Sequence, residues 1–308
     1  MNSSLWRDYI VDQDKIEQLR VKVYEYARAH PDEIDMDDVR NRIVSPEDIA
    51  NNNFDVNNNK ITDWMLKRLL IAAHKDADAA LEKFIEFFRF RAIHQVSKMK
   101  SENILPTEFF NINPFYWEGF DKERNRVFVI RLKYYKNLPQ FDLVIKRGVL
   151  YFAEQMDLQY EQGLCDGVCL LLDCQDFSLI NLNMDMLQFM LKQVPSLYRG
   201  IVRSVITYEI HYMLSYLIKV VQSWMPTPTT IDKEGNKRKL FCSIGKKEIN
   251  DFVDPDQLPS YLNGTRKPML EAPDYALPFK QMARNVAGLE EKNVNKINEY
   301  LKELTQNA

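Results

Sequence analysis

The sequence predicts an α/β protein: a helical lobe over residues 1–100, then a mixed or largely parallel sheet with helices flanking it. Three observations carry this expectation. Amphipathic spacing of helical period fills the first hundred residues with no strand-like run among them. From residue 127 onward, short β-branched or apolar runs alternate with longer helical stretches, the pattern of βαβ crossovers. The runs are apolar throughout rather than alternating, as strands buried on both faces are.

Taken in order, Ile16, Leu19, Val23 and Tyr26 follow helical spacing until Pro31 interrupts them. Ser45-Pro46-Glu47-Asp48 reads as an N-cap followed by proline at the first helical position. The asparagine-rich residues 51–59 read as a loop. Trp64, Leu66, Leu69 and Leu70, then Leu81, Phe84, Phe87 and Phe88, mark two more amphipathic helices. Pro106 and Pro114 flank an irregular aromatic connection that runs to Gly119-Phe120-Asp121. Strands are expected at 127–132, 168–172, 201–205 and 240–244, with helices at 143–159, 184–193 and 208–225 between them. Val294, Ile297, Leu301 and Leu304 space a last amphipathic helix. The expected partition is a helical lobe at 1–100, a sheet-bearing lobe at 101–265 and an extension at 266–308.

Composition narrows the function. The 308 residues are 45% hydrophobic and 28% charged, a globular balance, and a net charge of −3 argues against a dedicated nucleic-acid binder. Asp8, Asp12 and Asp14 interrupt the region where a secretory signal would need an apolar run. No stretch of ~18 uncharged apolar residues occurs to span a bilayer. A cytoplasmic location with only peripheral membrane contact is therefore expected. Cys165, Cys169, Cys174 and Cys242 lack paired metal-ligand spacing and are expected as reduced, mostly buried thiols. Neither a metal nor a cofactor is expected. Dinucleotide, phosphate-loop, nucleophile-elbow and zinc-protease motifs are all absent. His30, His74, His94 and His211 fall in helical stretches without motif spacing, and Asp173, at the carboxyl end of a strand, reads first as a turn or cap carboxylate. The expectation is a protein that makes and breaks no bond. With 17 Phe, 15 Tyr, 4 Trp and 12 Met, bulky apolar side chains must fill either a core or the lining of a cavity.

The helix expected at 208–225 is the most informative segment. His211, Ser215, Lys219 and Gln222 make one narrow polar stripe, and almost everything else is apolar, including Tyr212, Met213, Tyr216, Leu217, Val220 and Trp224. Such a helix packs in a core, meets a bilayer or covers an apolar ligand. After Pro226-Thr227-Pro228 come Lys233, Lys237, Arg238 and Lys239, a basic run suited to an anionic membrane surface.

This order of parts resembles the CRAL-TRIO lipid-binding family over about residues 45 to 265. The resemblance is carried by Trp64-Met65-Leu66-Lys67-Arg68-Leu69-Leu70 with Phe88-Arg89-Phe90-Arg91, and by Gly119-Phe120-Asp121-Lys122-Glu123 before Arg126-Val127-Phe128. It continues through Cys169-Leu170-Leu171-Leu172-Asp173, Lys219-Val220-Val221-Gln222-Ser223-Trp224, and Gln257-Leu258-Pro259-Ser260-Tyr261 with Gly264-Thr265. It implies a helical lobe, a sheet flooring an apolar pocket, and a gate helix over that pocket at 208–225. It also implies the binding and transfer of one hydrophobic lipid or phospholipid, with no cofactor beyond that ligand.

The lining residues it implies are Phe128, Ile130, Val168, Leu170 and Leu172 on the sheet, and Tyr208, Tyr212, Met213, Tyr216, Leu217, Val220 and Trp224 on the gate. Headgroup residues of the phosphoinositide-binding members map to Lys239, to Ser196 after Pro195 where the family has glutamate, and to Asn236 where it has threonine. Positions tied to choline headgroups are the apolar Val168 and Leu170, and the asparagine-x-proline turn before the gate is Val205-Ile206-Thr207. Phosphatidylinositol therefore fits better than phosphatidylcholine. The expected partners are a hydrophobic lipid ligand and, transiently, a membrane surface, with no nucleic acid. A lipid-sensing tether or protein-interaction module, using the C-terminal helix for a protein partner, is the alternative.

Overall fold

The computed structural model describes residues 6–51, 63–100, 104–211, 219–220, 223, 229–231, 237–267, 272–286 and 288–306. The chain divides into two compact units, 1–98 with 161–164, and 99–160 with 165–308.

The first unit is helical: α1 (Gln13–Ala29), α2 (Met36–Arg42), α3 (Pro46–Ala50), α4 (Trp64–Ala72) and α5 (Ala77–Ile93). Short polar side chains start four of them, because Asp12, Asp35, Ser45 and Asp76 each accept a backbone N–H that the first turn leaves unpaired. Leu19, Val23 and Ala27 of α1 are fully buried, as are Phe84, Phe87 and Phe88 of α5 to within 2% exposure. Arg91 of α5 clasps Asp38 of α2 through two bonds of 2.6 and 2.7 Å, both side chains buried. The histidines of this unit terminate helices rather than sit within them. His30 and His94 follow the last turns of α1 and α5, His30 stacked on Tyr26 and His94 tilted against Phe90, and His74 takes a left-handed φ of 55° in the turn after α4.

In the second unit α6 (Thr107–Ile112) ends on Asn113, whose φ of 47° turns the chain into β1 (Phe115–Phe120). The stretch expected as an irregular connection is thus a short helix between the two prolines followed by a strand. It runs antiparallel to β2 (Asn125–Arg131), with a register shift between Trp117 and Phe120 that breaks the alternation a sequence pattern would need. β3 (Gly167–Asp173), β4 (Val202–Tyr208) and β7 (Phe241–Ile244) follow in parallel, giving the order β1-β2-β3-β4-β7. The sheet is mixed, with one antiparallel strand. β4 runs three residues past the expected end, because Ile206, Thr207 and Tyr208 complete the ladder between β3 and β7. The basic run expected as a loop contains a two-stranded hairpin, β5 (Thr229–Ile231) with β6 (Lys237–Lys239), in which the β-branched 229–231 stretch supplies one strand.

Helix α7 (Phe141–Glu161) makes the crossover from β2 to β3. The next crossover is one helical path in three parts: α8 (Met184–Gln188), a π turn at Phe189–Gln193, and α9 (Val194–Leu197). Pro195 lacks the N–H an α-helix interior would use, and the widened turn just before it carries the chain past that gap. Finally α10 (Phe279–Met282) and α11 (Glu291–Gln306) pack on each other, and α11 on α6.

The two faces of the sheet differ. On one, Val127, Val129, Cys169, Leu171, Ile206, Tyr208 and Ile244 meet Ile249, Val253, Leu258 and Leu262, closing a solid layer. Gly264 belongs to this packing, since a Cβ there would stand 2.0 Å from the Leu258 carbonyl oxygen. The opposite face is covered by α7 and the α8–α9 path and is not completely filled.

Candidate functional site

Strand alternation turns Phe128 and Ile130 of β2, and Leu170 beside Phe128 on β3, onto the less filled face. Two clefts open there. The first holds about 570 Å³ of free space open to solvent, between Ile130, Ile145 and Val149 on one side and Phe177, Met186 and Met190 on the other. Pro114, Phe115 and the Leu132–Tyr135 segment complete its rim. The second, of about 470 Å³, lies between Phe128, Ile130 and Leu170 of the sheet and Ala153, Met156, Val194 and Tyr198 of the helices. Ile130, Val149 and Met190 line both, so the two clefts adjoin on one face within the second unit and together make up its groove.

Among the described residues the groove lining is almost uncharged: no ionisable acid or base other than Tyr198 lines the second cleft, and Arg131 is the one charged residue on the first. The Arg131 guanidinium is turned to the filled face, held between the Tyr134 and Tyr261 rings at 4.6 and 4.3 Å, with Nη1 donating to Ile112 O at 3.2 Å. Its Nε lies 3.7 Å from Asp173 Oδ2. Asp173 is buried at the end of β3 and accepts the Gln175 N–H at 3.1 Å, the turn role its position suggested. Burial raises its carboxyl above the usual aspartate range, against the opposing pull of that amide and of Arg131. At the groove rim, Asn183 Nδ2 donates to Tyr135 OH at 3.1 Å, and burial raises the Tyr135 phenol. Tyr198 donates to Glu154 beside the second cleft.

Of the residues implied on the sheet, Phe128, Ile130 and Leu170 meet at the groove. Val168 and Leu172 share their face and are buried, without bordering either cleft. Tyr208 requires correction. It ends β4 rather than beginning a helix, its parity matches Ile206, and its side chain lies in the filled layer, where burial pushes the phenol up to about 12. Val220 is helical and half-buried, between the exposed Lys219 and Ser223. Tyr212, Met213, Tyr216, Leu217, Trp224 and Asn236 lie outside the described residues. Ser196 in α9 donates to Gln193 O at 2.7 Å and touches neither cleft, although Pro195 beside it does. Lys239 closes the short strand β6.

The groove residues that sequence reasoning missed are Val149, Ala153 and Met156 on α7, Met186 and Met190 on the crossover path, and Tyr134 and Tyr135. The available signal was a helix at 143–159 apolar on more than one face, followed by closely spaced methionines. The four cysteines are free, Cys242 half-buried and the others buried, and burial pushes the Cys174 and Cys242 thiols up to about 12 and about 11. Among the described residues no cluster could hold a metal ion, and no helix is long and apolar enough to cross a membrane.

Residues 111–264, which include the whole sheet and the groove face, match the CRAL/TRIO domain. Among solved structures, the crystal structure of Sfh5 is similar at a TM-score of 0.53 and 11% identity, covering 96% of this chain and 100% of that one. Such low identity speaks to the fold alone. The domain match extends over half of the chain, and the sheet, crossovers and open face it spans are those described above: the protein belongs to the CRAL/TRIO domain family, whose members bind lipids.

Proposed function

We propose that the chain binds one amphiphilic lipid in this groove and passes it between membranes without making or breaking a bond. The adjoining clefts on one face of the sheet, whose described lining is nearly uncharged, are the observation that supports the reading. Burying an acyl chain there is worth about 0.8 kcal/mol per methylene, enough for a lined groove to compete with a bilayer. An anionic phospholipid such as phosphatidylinositol is the proposed ligand, with Lys239 as the headgroup cation, because the positions that would favour choline are the apolar Val168 and Leu170. The segment that follows β4, up to residue 225, is the proposed gate.

The test is uptake of labelled phospholipid from vesicles, with native mass spectrometry of protein purified from cells. Val149 borders both clefts, so Val149→Trp is expected to cut uptake about tenfold or more, by filling space the ligand needs. Lys239→Ala is expected to reduce uptake of phosphatidylinositol and spare phosphatidylcholine. A lipid-free mass together with no uptake by the unmodified chain would sink the proposal. Co-sedimentation with vesicles but no transfer between them would favour the tethering alternative.

A further inference from the structure

One wall of the groove belongs to no long element. β2 ends at Arg131, and the 3-10 turn Leu132–Tyr134, with Tyr135, carries the chain along the first cleft before α7 begins. Such a turn closes with a single i to i+3 bond, here Tyr135 N–H to Leu132 O at 3.0 Å, so what packs behind it sets its position. Behind it lies α11. Tyr300 donates its hydroxyl to Tyr134 O at 3.1 Å, and its ring meets the Lys136 ammonium at 4.7 Å. The same ring stands edge-on to Phe141 at 6.0 Å, and Phe141 stacks on Tyr135 at 6.2 Å.

Two turns earlier, the start of α11 is clamped to the start of α7. Gln140, at a left-handed φ of 62°, donates Nε2 to Gly288 O at 2.9 Å, and its Oε1 accepts from Glu290 N and Asn293 Nδ2 at 2.8 and 2.9 Å. Asn293, Ile297 and Tyr300 fall at i, i+4 and i+7, one face of the helix. Val294, Ile297 and Leu301 are buried there as well, so the apolar face that could have met a protein partner is occupied by the chain's own body. Tyr300 lines neither cleft.

We propose that α11 is a strap that sets the groove wall, with Tyr300 as its positioning residue. While the strap is docked, the Leu132–Tyr135 wall is held against the ligand; undocking lets the wall retreat and speeds release of the amphiphile. The inference rests on the lipid reading above, and its test separates the two.

The full chain is loaded from phosphatidylcholine vesicles carrying pyrene-labelled phosphatidylinositol, and release into unlabelled acceptor vesicles is timed. Tyr300→Phe keeps the ring and loses one hydrogen bond, and is expected to release about fivefold faster. Gln140→Leu removes three bonds at a point remote from Tyr300 and is expected to do the same or more. Val253→Ala, in the filled layer on the other face, is expected to lower stability and leave release unchanged. In the absence of lipid, amide hydrogen exchange across residues 132–135 is expected to rise in the Tyr300 and Gln140 variants. Unmodified release and exchange in both variants overturn the strap, as does equal acceleration by Val253→Ala. Faster exchange in a chain that takes up no lipid overturns the lipid reading, and with it the releasing role, while leaving the strap's hold on the wall established.

Discussion

Asp173 shows how much one buried side chain can report. Its carboxyl is raised chiefly by burial, so the folded chain prefers it neutral more strongly than the unfolded chain does. The stability this contributes is full below the ordinary aspartate range and is lost as pH rises through the folded value. Asp173→Asn keeps an oxygen for the Gln175 N–H and removes the charge. The variant is expected to unfold at a higher denaturant midpoint than the parent near pH 7, with the difference shrinking in acid. Equal midpoints across the whole range would mean that Arg131, at 3.7 Å, offsets the burial cost.

At the scale of elements, the Arg91 and Asp38 pair shows what holds the helical unit. Both groups are buried and joined by two short bonds, so removing the carboxylate takes away the buried counter-charge of the Arg91 guanidinium. Asp38→Ala is expected to cost roughly 3–5 kcal/mol in chemical denaturation. The elements that could be read from sequence are those whose residues agree among themselves. The runs at 127–132 and 168–172 are continuously apolar, and Gly167–Asp173 and Asn125–Arg131 form there within a few residues of expectation. β1 was hidden because its irregular register against β2 disrupts any period of two, and prolines at 106 and 114 suggested a loop. β4 ran long because an aromatic, apolar stretch suits a buried helix as well as a strand until a ladder partner decides. The groove was legible on the sheet side only: a helix face lining a cavity and one lining a core carry the same residues, and Val149 or Met190 differ from core positions only in what fails to fill the space opposite.

For the whole molecule, a bound lipid and the fold are linked by mass action. Ligand at ~100 times its dissociation constant adds about 2.7 kcal/mol, which in a unit of this size moves the unfolding midpoint by roughly 5–10 °C. Stripping lipid from the purified protein is expected to lower the midpoint by that amount, and readdition to restore it; an unchanged midpoint would count against a groove ligand. The groove's position on the sheet has a further consequence. Along β2 and β3 the odd-numbered residues 127, 129, 169 and 171 close the filled layer, while 128, 130 and 170 border the open one. Neighbours in sequence therefore answer to different pressures. Substitutions at the even positions, which are buried as well, bear on both packing and what the groove admits, whereas substitutions at the odd positions bear on packing alone.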